Sequence, residues 1–454
     1  MSRKPGLDLT EGRVGASLFR LTAPMMIAVS ASIVVQVVEA SFIGRLGTDP
    51  LAAVTFTFPL TMMLSSIALG ISIGTSSVIA RRVGSGDWDA VRRLTTHGLL
   101  LVASVLSALA LLGMLTIAPT FRLLGASPAV IDEITVYLLI YYPGTVLFTL
   151  TMVAGSVMRA TGDARLPGYV MTAGAVLNLA LDPILIFGWL GSPSLGLPGA
   201  ALAMVLSRLA MAGVLSYVVA VRMRLLLPRG RIRAGFAASV RDILHVGLPA
   251  IATQLIGPVS GAIITRIVAS HGETVVAGFG VAGRIEAVAV MALFALSGSI
   301  GPFVGQNAGA GAHDRVEEGM RVAYRFSLAW GACACVVLWF FAQFIVPVVA
   351  PTADVVAVAC QYLAVVPLSY GPWGVLMMAS AAFNSLGKPI PSTLMSAGRM
   401  FVLNVPLALL GNALFGYSGI FVATAITNAL MGLAGYVWLK RVFFSSTVAA
   451  PSRA

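Results

Sequence analysis

Two carboxylates lie inside apolar segments of this sequence, where a charge is costly. Glu39 follows an uncharged run from Leu21 to Val38, and Asp182 lies in the segment NLALDP, four residues after Asn178. A charged side chain at the centre of a membrane helix costs about 2.5–3.5 kcal/mol on insertion scales. Either these acids lie close enough to the membrane surface to escape the cost, or they have a function that outweighs it.

The spacing of these residues predicts a shared acidic site. Asn178 and Asp182 are four apart, so they face the same side of a helix. At a rise of about 1.5 Å per residue, Glu39 lies about 28 Å along its helix from Arg20, and Asp182 about 26 Å from Arg165. The two acids are therefore expected at similar depth. Two carboxylates in a poorly solvated site favour protonation of one of them near neutral pH, which suits a group that loads and releases a proton.

Simpler interpretations exist for each of these residues. Glu39 alone could be an interfacial carboxylate that reaches the headgroups, and Asp182 could cap a helix that breaks at Pro183. Asn178 could be a buried amide that only bridges two helices. The matching depth of the two acids favours the functional interpretation for both.

The elements that carry these residues are predicted to be membrane-spanning helices. The chain has 454 residues, of which 58% are hydrophobic and 10% charged, with a mean hydropathy of +0.94. Soluble chains carry about 25% charged residues, so this is a membrane protein. A span needs about 20 apolar residues. Twelve such segments are predicted, near residues 17–44, 51–80, 94–118, 130–159, 166–189, 197–222, 242–270, 274–307, 320–347, 353–384, 390–413 and 416–439.

The net charge of +12 is explained by membrane orientation. With both termini in the cytoplasm, 23 of the 29 Lys and Arg residues fall on the cytoplasmic side, as the positive-inside rule requires. The exceptions are Arg45, Arg122 and Arg266 outside, and Arg208, Arg284 and Arg399 within spans. The N-terminal region lacks the features of a cleaved signal peptide. We therefore expect a multi-pass protein of the cytoplasmic (inner) membrane, with lipid as a partner and no nucleic acid.

The sequence repeats itself after 225 residues. Pro24 aligns with Pro249, Gly47 with Gly272, and the run from Gly84 to Val91 with that from Gly309 to Val316; GDARLPGYVMTAG also resembles GKPIPSTLMSAG, and LGLPGAALA resembles FGYSGIFVA. An even number of spans per repeat makes the repeats parallel. The predicted fold is an all-α integral membrane protein with twelve transmembrane helices in two pseudo-symmetric six-helix lobes.

The predicted domains are an N-terminal lobe, a basic cytoplasmic linker and a C-terminal lobe with a short cytoplasmic tail, at residues 1–222, 223–241 and 242–454. Two similar lobes can form a cleft that opens to either side of a membrane, which is the geometry of a transporter. A two-lobed channel is the less favoured alternative.

Several segments in this order resemble one transporter family. They are TAPMMIAVSASIVVQVVEASFIGRLGTDPLAAV, GTSSVIARRVGSGD, NLALDPILIFG, GRIEAV and VGQNAGAG, and the sequence is similar to the multidrug and toxic compound extrusion (MATE) transporters, within them to the DinF-like bacterial and archaeal branch. The resemblance covers nearly the whole chain. It implies an antiporter that exports organic, often cationic compounds and takes up H⁺ or Na⁺ in exchange.

The resemblance also implies roles for particular residues. In this branch the coupling-ion carboxylates lie in the N-terminal lobe, which assigns cation coupling to Glu39, Asp182 and Asn178, and helix bending to Pro24. The chain departs from the family pattern in two places, since Glu39 stands where an Asp is usual, and Met204 replaces a Thr that could offer an oxygen ligand. Both departures favour H⁺ over Na⁺, which needs several oxygen ligands.

Other candidate residues carry weaker signals. Arg284 and Glu286, two apart in span 8, are expected to have a structural or gating role, ahead of proton carriage. Each is expected to bond to neighbouring helices rather than to the other. A substrate cavity that adapts to flat, apolar cations is predicted to include Gln36, Tyr137, Tyr141, Met171 and Met204.

The sequence thus predicts a proton-driven multidrug efflux antiporter that works by alternating access and confers antibiotic resistance. Na⁺ coupling at the same residues is the main alternative. A lipid-intermediate flippase ranks lower, because only Arg208, Arg284 and Arg399 could make its cavity cationic. A passive channel or receptor is a further alternative. We expect a monomer without cofactor or bound metal, and no enzyme activity, because the sequence has no catalytic constellation.

Overall fold

The structure, a computed structural model of the chain, describes residues 8–350 and 352–444. Across these residues the chain is helical, and no strand occurs among them. The helices are α1 (Val14–Gly44), α2 (Thr48–Gly84), α3 (Trp88–Leu115), α4 (Ile117–Leu123), α5 (Pro128–Ala160), α6 (Arg165–Phe187), α7 (Leu197–Tyr217), α8 (Phe236–Ala269), α9 (Glu273–Ala289), α10 (Met291–Gly309), α11 (His313–Val349), α12 (Ala353–Val365), α13 (Tyr370–Ser385), α14 (Pro389–Ala397), α15 (Val405–Phe415) and α16 (Tyr417–Leu439).

Twelve helical segments are long and apolar enough to cross a membrane, which confirms the predicted number. Eleven of them are single helices or helices joined without a sharp bend, and the twelfth is the α9–α10 pair, which is bent by 46°. The bend falls at Val290, not at Pro302, which α10 passes without interruption. In the tenth span a 3₁₀ turn from Val366 to Ser369 joins α12 to α13, and in the eleventh a π-helical stretch from Gly398 to Asn404 joins α14 to α15.

The repeat seen in the sequence is a repeat of helix boundaries. The α9–α10 pair begins and ends 225 residues after α2, and the same offset relates α3 to the start of α11 and α5 to the α12–α13 segment. The turns match as well, because Gly47 and Gly272 have φ of +124° and +97°, and Gly86 and Gly311 have φ of +77° and +74°. These backbone conformations strain any other residue type. The two halves of the sequence therefore form the same succession of helices and turns.

The described chain divides into two compact units, and the boundary lies later than the predicted linker. The N-terminal unit contains residues 23–251, and the C-terminal unit contains residues 9–22 and the chain from residue 252. The linker stays with the N-terminal unit, because Thr96 Oγ1 accepts from Leu227 N at 2.8 Å and His97 Nε2 lies 2.7 Å from Ile232 O. The first turns of α8 also belong to that unit.

Helix α1 is shared between the two units. Its first turns, up to Thr22, belong to the C-terminal unit and the rest to the N-terminal unit. The segment before the helix is held inside the C-terminal unit by hydrogen bonds, since Leu9 N donates to Gln306 Oε1 and Arg315 donates to Gly12 O at 2.9 Å. The change of unit falls next to Pro24, and the change in α8, after Ile251, falls two residues beyond the repeat counterpart Pro249.

Small residues let the helices of the N-terminal unit pack closely. A Cβ added to Gly144 in α5 would lie 2.6 Å from Val205 Cγ2 in α7, and Ser72 in α2 donates to Met152 O in α5 at 3.2 Å. Helices in a membrane gain most of their association from such packing and from interhelical hydrogen bonds. Helix α5 is therefore the centre of this unit, between α2 and α7, and it carries Tyr137 and Tyr141.

Candidate functional site

The two predicted carboxylates lie at matching positions near helix ends. Glu39 is five residues before the end of α1, and Asp182 is five residues before the end of α6. At about 1.5 Å per residue, each lies about 8 Å from that end. Helix α6 continues through Pro183 to Phe187, so Asp182 does not cap a helix that stops at the proline. Its position inside a regular helix needs another explanation.

The carboxyl of Asp182 is fully buried, and only one of its two oxygens has a hydrogen-bond partner among the described residues. Its Oδ2 accepts a hydrogen bond of 3.0 Å from Asn178 Nδ2, one turn earlier on α6. Its Oδ1 is also buried and has no hydrogen-bond partner among the described residues. A buried carboxylate oxygen without a partner is energetically costly. A proton or a cation bound there would remove that cost.

Glu39 lies within electrostatic range of Asp182. The two carboxylates interact, and Glu39 also interacts with the guanidinium of Arg208 in α7. The side chain of Glu39 is half-buried. The structure therefore brings together the two acids that the sequence predicts to act as a pair, and it adds a cation to them.

Two tyrosines of α5 complete this group, which we call the acidic cluster: Glu39, Asp182, Asn178, Tyr137 and Tyr141. The rings of Tyr137 and Tyr141 stack with their centroids 5.7 Å apart, and both side chains are buried. Tyr137 interacts electrostatically with Glu39 and with Asp182. Both tyrosines are predicted cavity residues, and the structure places them beside the predicted coupling residues.

Arg208, which the sequence analysis considered only for the less favoured flippase, lies beside this cluster. Its guanidinium lies over the rings of Tyr141 and Phe148, 5.1 Å and 4.7 Å from their centroids. The signal in the sequence is a lone arginine in an apolar span. The pattern alone could not show that this arginine faces the acids, because the rotation of α7 about its axis is set by packing.

The predicted bending residue, Pro24, lies at a close contact between two helices. A Cβ added to Gly168 of α6 would lie 2.8 Å from Pro24 Cβ and 2.9 Å from Pro24 O. Only a glycine allows the two helices to approach this closely. Helix α1 is continuous from Val14 to Gly44 in this structure, and the bending role of Pro24 stays a prediction.

The other predicted cavity residues are less closely connected with the cluster. Gln36 is exposed, and its amide donates to Ser32 O on the same helix. Met171 and Met204 are half-buried, and Met204 lies one turn before Arg208 on α7. Their part in a substrate cavity stays a prediction.

Arg284 and Glu286 have different environments in the C-terminal unit. Arg284 is exposed, whereas Glu286 Oε2 accepts hydrogen bonds from Tyr362 at 2.7 Å and from Tyr370 at 3.2 Å. Glu286 therefore connects α9 to the tenth span. Arg399, on the π-helical stretch, interacts electrostatically with Glu286, and its Nη1 donates to Asn428 Oδ1 at 2.9 Å. A structural or gating role for the Arg284 and Glu286 pair stays a prediction.

The described part of the chain is a helical membrane protein of two sequence repeats with carboxylates inside its spans, an arrangement typical of the class of transporters. The model of the MatE family matches residues 24–184 and 249–410, so each match starts at a repeat proline, Pro24 or Pro249. The chain belongs to the MATE family of multidrug efflux transporters. The family resemblance of the sequence is thereby confirmed.

Named relatives and solved structures extend this assignment. The chain is 34% identical over 438 residues to the "FAD transporter" of Shewanella oneidensis, with 96% of each chain covered. It is 25% identical to the probable multidrug resistance protein YoeA of Bacillus subtilis, with 94% of this chain and 95% of the relative covered.

A mutant of the Vibrio cholerae MATE transporter VcmN is a solved structure of the same fold, with a TM-score of 0.91, 30% identity, and 95% and 97% of the two chains covered. The same transporter in what is described as its bent form gives a TM-score of 0.90, 29% identity, and 96% and 98% coverage.

Proposed function

We propose that this chain is a proton-coupled efflux antiporter whose coupling site is the acidic cluster of the N-terminal unit. The observation that carries the proposal is the fully buried carboxyl of Asp182, with one oxygen bonded to Asn178 and the other without a partner. Glu39 lies within electrostatic range of it. A proton needs one basic oxygen, which this arrangement offers.

The same arrangement fits Na⁺ less well. Sodium is a hard cation that prefers several oxygen ligands, whereas α7 carries Met204 at the position where the resemblance implies a threonine. Na⁺ coupling at Glu39 and Asp182 is the second possibility for the ion. It makes a distinct prediction, because transport would then depend on a sodium gradient.

Competition for negative charge would couple the proton to a cationic substrate. With Glu39 and Asp182 both ionised, the two carboxylates attract an organic cation that lies against Tyr137 and Tyr141. Protonation removes those charges and with them most of the attraction. A site that binds either protons or the cation, and faces each side in turn, performs antiport. Bending of α1 at Pro24 would accompany the change of state.

A second substrate is supported by a different observation. A relative with 34% identity over nearly the whole chain is named an FAD transporter, and FAD is an anionic dinucleotide with two flat ring systems. The acidic cluster includes stacked aromatic rings and has Arg208 beside it. FAD and related flavin nucleotides are therefore the second candidate substrate class.

The test is transport in liposomes that contain the purified protein. A fluorescent organic cation is followed under an imposed pH gradient without sodium, for wild type, Glu39→Gln, Asp182→Asn and the control Asp132→Asn. Asp132 is exposed at the start of α5. We expect wild type and the control to move the cation against its gradient, and the two cluster variants to lose at least about nine-tenths of that movement.

Each other outcome has a definite meaning. Movement that requires sodium in wild type would replace H⁺ by Na⁺ as the coupling ion. Equal transport by wild type and both cluster variants would place the coupling site elsewhere in the chain. The same liposomes loaded with FAD test the second substrate, because export of FAD without movement of the cation would exchange the ranking of the two substrate classes.

A further inference from the structure

Arg208 is a charged side chain inside a membrane span that the coupling reaction does not require. It is half-buried, and its Nη1 is buried without a hydrogen-bond partner among the described residues. No carboxylate of the described residues lies within 4.0 Å of it, since the ion pairs found there involve other arginines. Its guanidinium is held over the rings of Tyr141 and Phe148.

The depth of Arg208 places it just beyond the carboxylates. Helix α7 begins at the membrane face where α1 and α6 end, and Arg208 is eleven residues from that start. At about 1.5 Å per residue this is about 17 Å from the face, compared with about 8 Å for Glu39 and Asp182. Side chains lean toward the N-terminus of their helix, so Arg208 extends toward the acids. This geometry agrees with an electrostatic interaction with Glu39 that is not a direct ion pair.

The environment of Arg208 is complete except for a hydrogen-bond acceptor. Two aromatic rings under a guanidinium stabilise its charge, but they accept none of its N–H bonds. A guanidinium carries five N–H donors in a planar fork. Phosphate and carboxylate groups match that fork with two parallel hydrogen bonds. The group that would satisfy Arg208 is therefore an oxyanion.

We propose that Arg208, with Tyr141 and Phe148, forms an oxyanion subsite that binds the phosphate of an aromatic substrate. The inference rests on the proposed function, because it assumes that the acidic cluster lies in the substrate site. The phosphate of the substrate binds the guanidinium beyond the carboxylates, and its ring system lies beside the acidic cluster. The subsite explains why a fixed positive charge is kept beside two acids.

The subsite gives the cluster a charge that depends on its protons. With both acids ionised, Glu39, Asp182 and Arg208 carry a net charge of −1, and with both protonated the net charge is +1. Phosphate binding at Arg208 is therefore strongest when the acids are protonated, and a cationic substrate has the opposite dependence. The competition with protons that drives antiport applies to the cation alone, so the subsite assigns binding of a phosphorylated substrate and not its proton-driven export.

The experiment measures binding of three flavins to the purified full chain in detergent. Riboflavin, flavin mononucleotide and FAD share one fluorescent ring system and differ in phosphate, so quenching of flavin fluorescence gives three comparable dissociation constants. The proteins are wild type, Arg208→Gln, Arg208→Lys and the control Arg266→Gln, an exposed arginine of α8.

We expect wild type and the control to bind the two phosphorylated flavins at least about tenfold more tightly than riboflavin. Arg208→Gln should lose this preference and keep its affinity for riboflavin. Arg208→Lys should retain part of it, because lysine keeps the charge but not the planar fork, and it tests the proposal if the glutamine variant does not fold.

Three results would overturn the proposal. Wild type could show no preference for phosphorylated flavins, or Arg208→Gln could keep the wild-type preference. The third is loss of the preference when phosphatidylglycerol is added, which would assign the subsite to lipid headgroups. The proposed function fails separately, in the liposome assay. Gradient-driven movement of the organic cation without any flavin preference leaves that function standing and removes only the subsite.

Discussion

The unusual feature at the residue scale is a buried acid with one free oxygen. Soluble proteins pair or expose their carboxylates, and membrane proteins keep ionisable groups inside spans mainly where they serve ion or substrate pathways. The single described hydrogen bond to Asp182 comes from Asn178, on the same helix. Asn178 therefore holds the carboxyl in place and leaves its other oxygen available.

Removal of that hydrogen bond gives the first prediction. Asn178→Ala deprives Asp182 of its donor, and a hydrogen bond to a charged group is worth about 1.5–3 kcal/mol. We expect proton-driven transport in liposomes to fall by at least about tenfold. The matched control is Asn404→Ala at the repeat counterpart in the C-terminal unit, where the amide forms hydrogen bonds with Met400 and Thr424 and with no acid of the described residues. Equal loss in both variants would show that the amide has only a packing role.

At the scale of elements, α1 and α6, the two helices that carry the acids, also meet at a close contact. Gly168 faces Pro24, and a side chain at this position would overlap the proline. The contact fixes the part of α1 where it passes from the C-terminal unit to the N-terminal unit. A larger residue at position 168 would therefore push α1 and α6 apart at this point.

The second prediction enlarges that glycine. Gly168→Ala should destabilise the protein by about 1–3 kcal/mol, the usual cost of overpacking, and should lower the transport rate more than the protein yield. The control is Gly213→Ala on α7, where an added Cβ meets no atom within 4 Å. That variant should be neutral or slightly stabilising, since Ala is a better helix former than Gly. Thermal unfolding and transport of both variants would be compared, and an unaffected Gly168→Ala would contradict the close contact.

Three irregular spans of the C-terminal unit meet around Glu286. The eighth span is bent between α9 and α10, the tenth contains a 3₁₀ turn and the eleventh a π-helical stretch. Broken helices in transporters commonly surround binding sites, and π-helical stretches are frequent at functional sites. The bonds from Tyr362 and Tyr370 to Glu286 connect the first two of these spans.

The third prediction measures that connection. Tyr362→Phe removes the 2.7 Å hydrogen bond to Glu286 and should destabilise the protein by about 1.5–3 kcal/mol, visible as a lower unfolding temperature. Tyr324→Phe is the matched control, because the Tyr324 hydroxyl is buried and has no hydrogen-bond partner within the described part of the chain. Removal of this hydroxyl should leave the free energy of unfolding unchanged or raise it. If both variants unfold at the same temperature, Glu286 does not act as a connection between spans.

The elements were predictable from the sequence to a large extent, and the reasons are physical. A membrane span is a local property of about 20 residues, and the turns at Gly47 and Gly272 are glycine positions with positive φ. Rotation of a helix about its axis depends on packing against distant segments, so the position of Arg208 beside the acids was not predictable. The bend at Val290 has no proline to mark it. The division of α1 between units depends on hydrogen bonds between residues that are 297 and 298 positions apart in the sequence.

At the scale of the whole molecule, the two repeats share one pattern of helices but not one chemistry. Tyr137 of the N-terminal unit corresponds to Tyr362 of the C-terminal unit, and each lies near an acid. Glu39, however, corresponds to Ile264, and the acid beside Tyr362 is Glu286, on a different helix of the repeat. The two repeats share one pattern of helices, whereas the proposed coupling chemistry belongs to the N-terminal unit alone.

The last prediction concerns the segment by which α1 is anchored in the C-terminal unit. Arg315 donates to the carbonyls of Leu9, Glu11 and Gly12, and a charged donor contributes about 1.5–3 kcal/mol per hydrogen bond. Arg315→Ala should release the segment, so that trypsin cleaves after Arg13 at least about tenfold faster in the folded protein, measured by mass spectrometry. Arg321→Ala is the control, because Arg321 makes only an exposed ion pair with Glu317 on the same helix.

Transport should also slow in Arg315→Ala, since an α1 free at its first turns cannot transmit a change at Glu39 into the C-terminal unit. Faster cleavage with unchanged transport would show that the anchor is structural and that α1 works within the N-terminal unit alone.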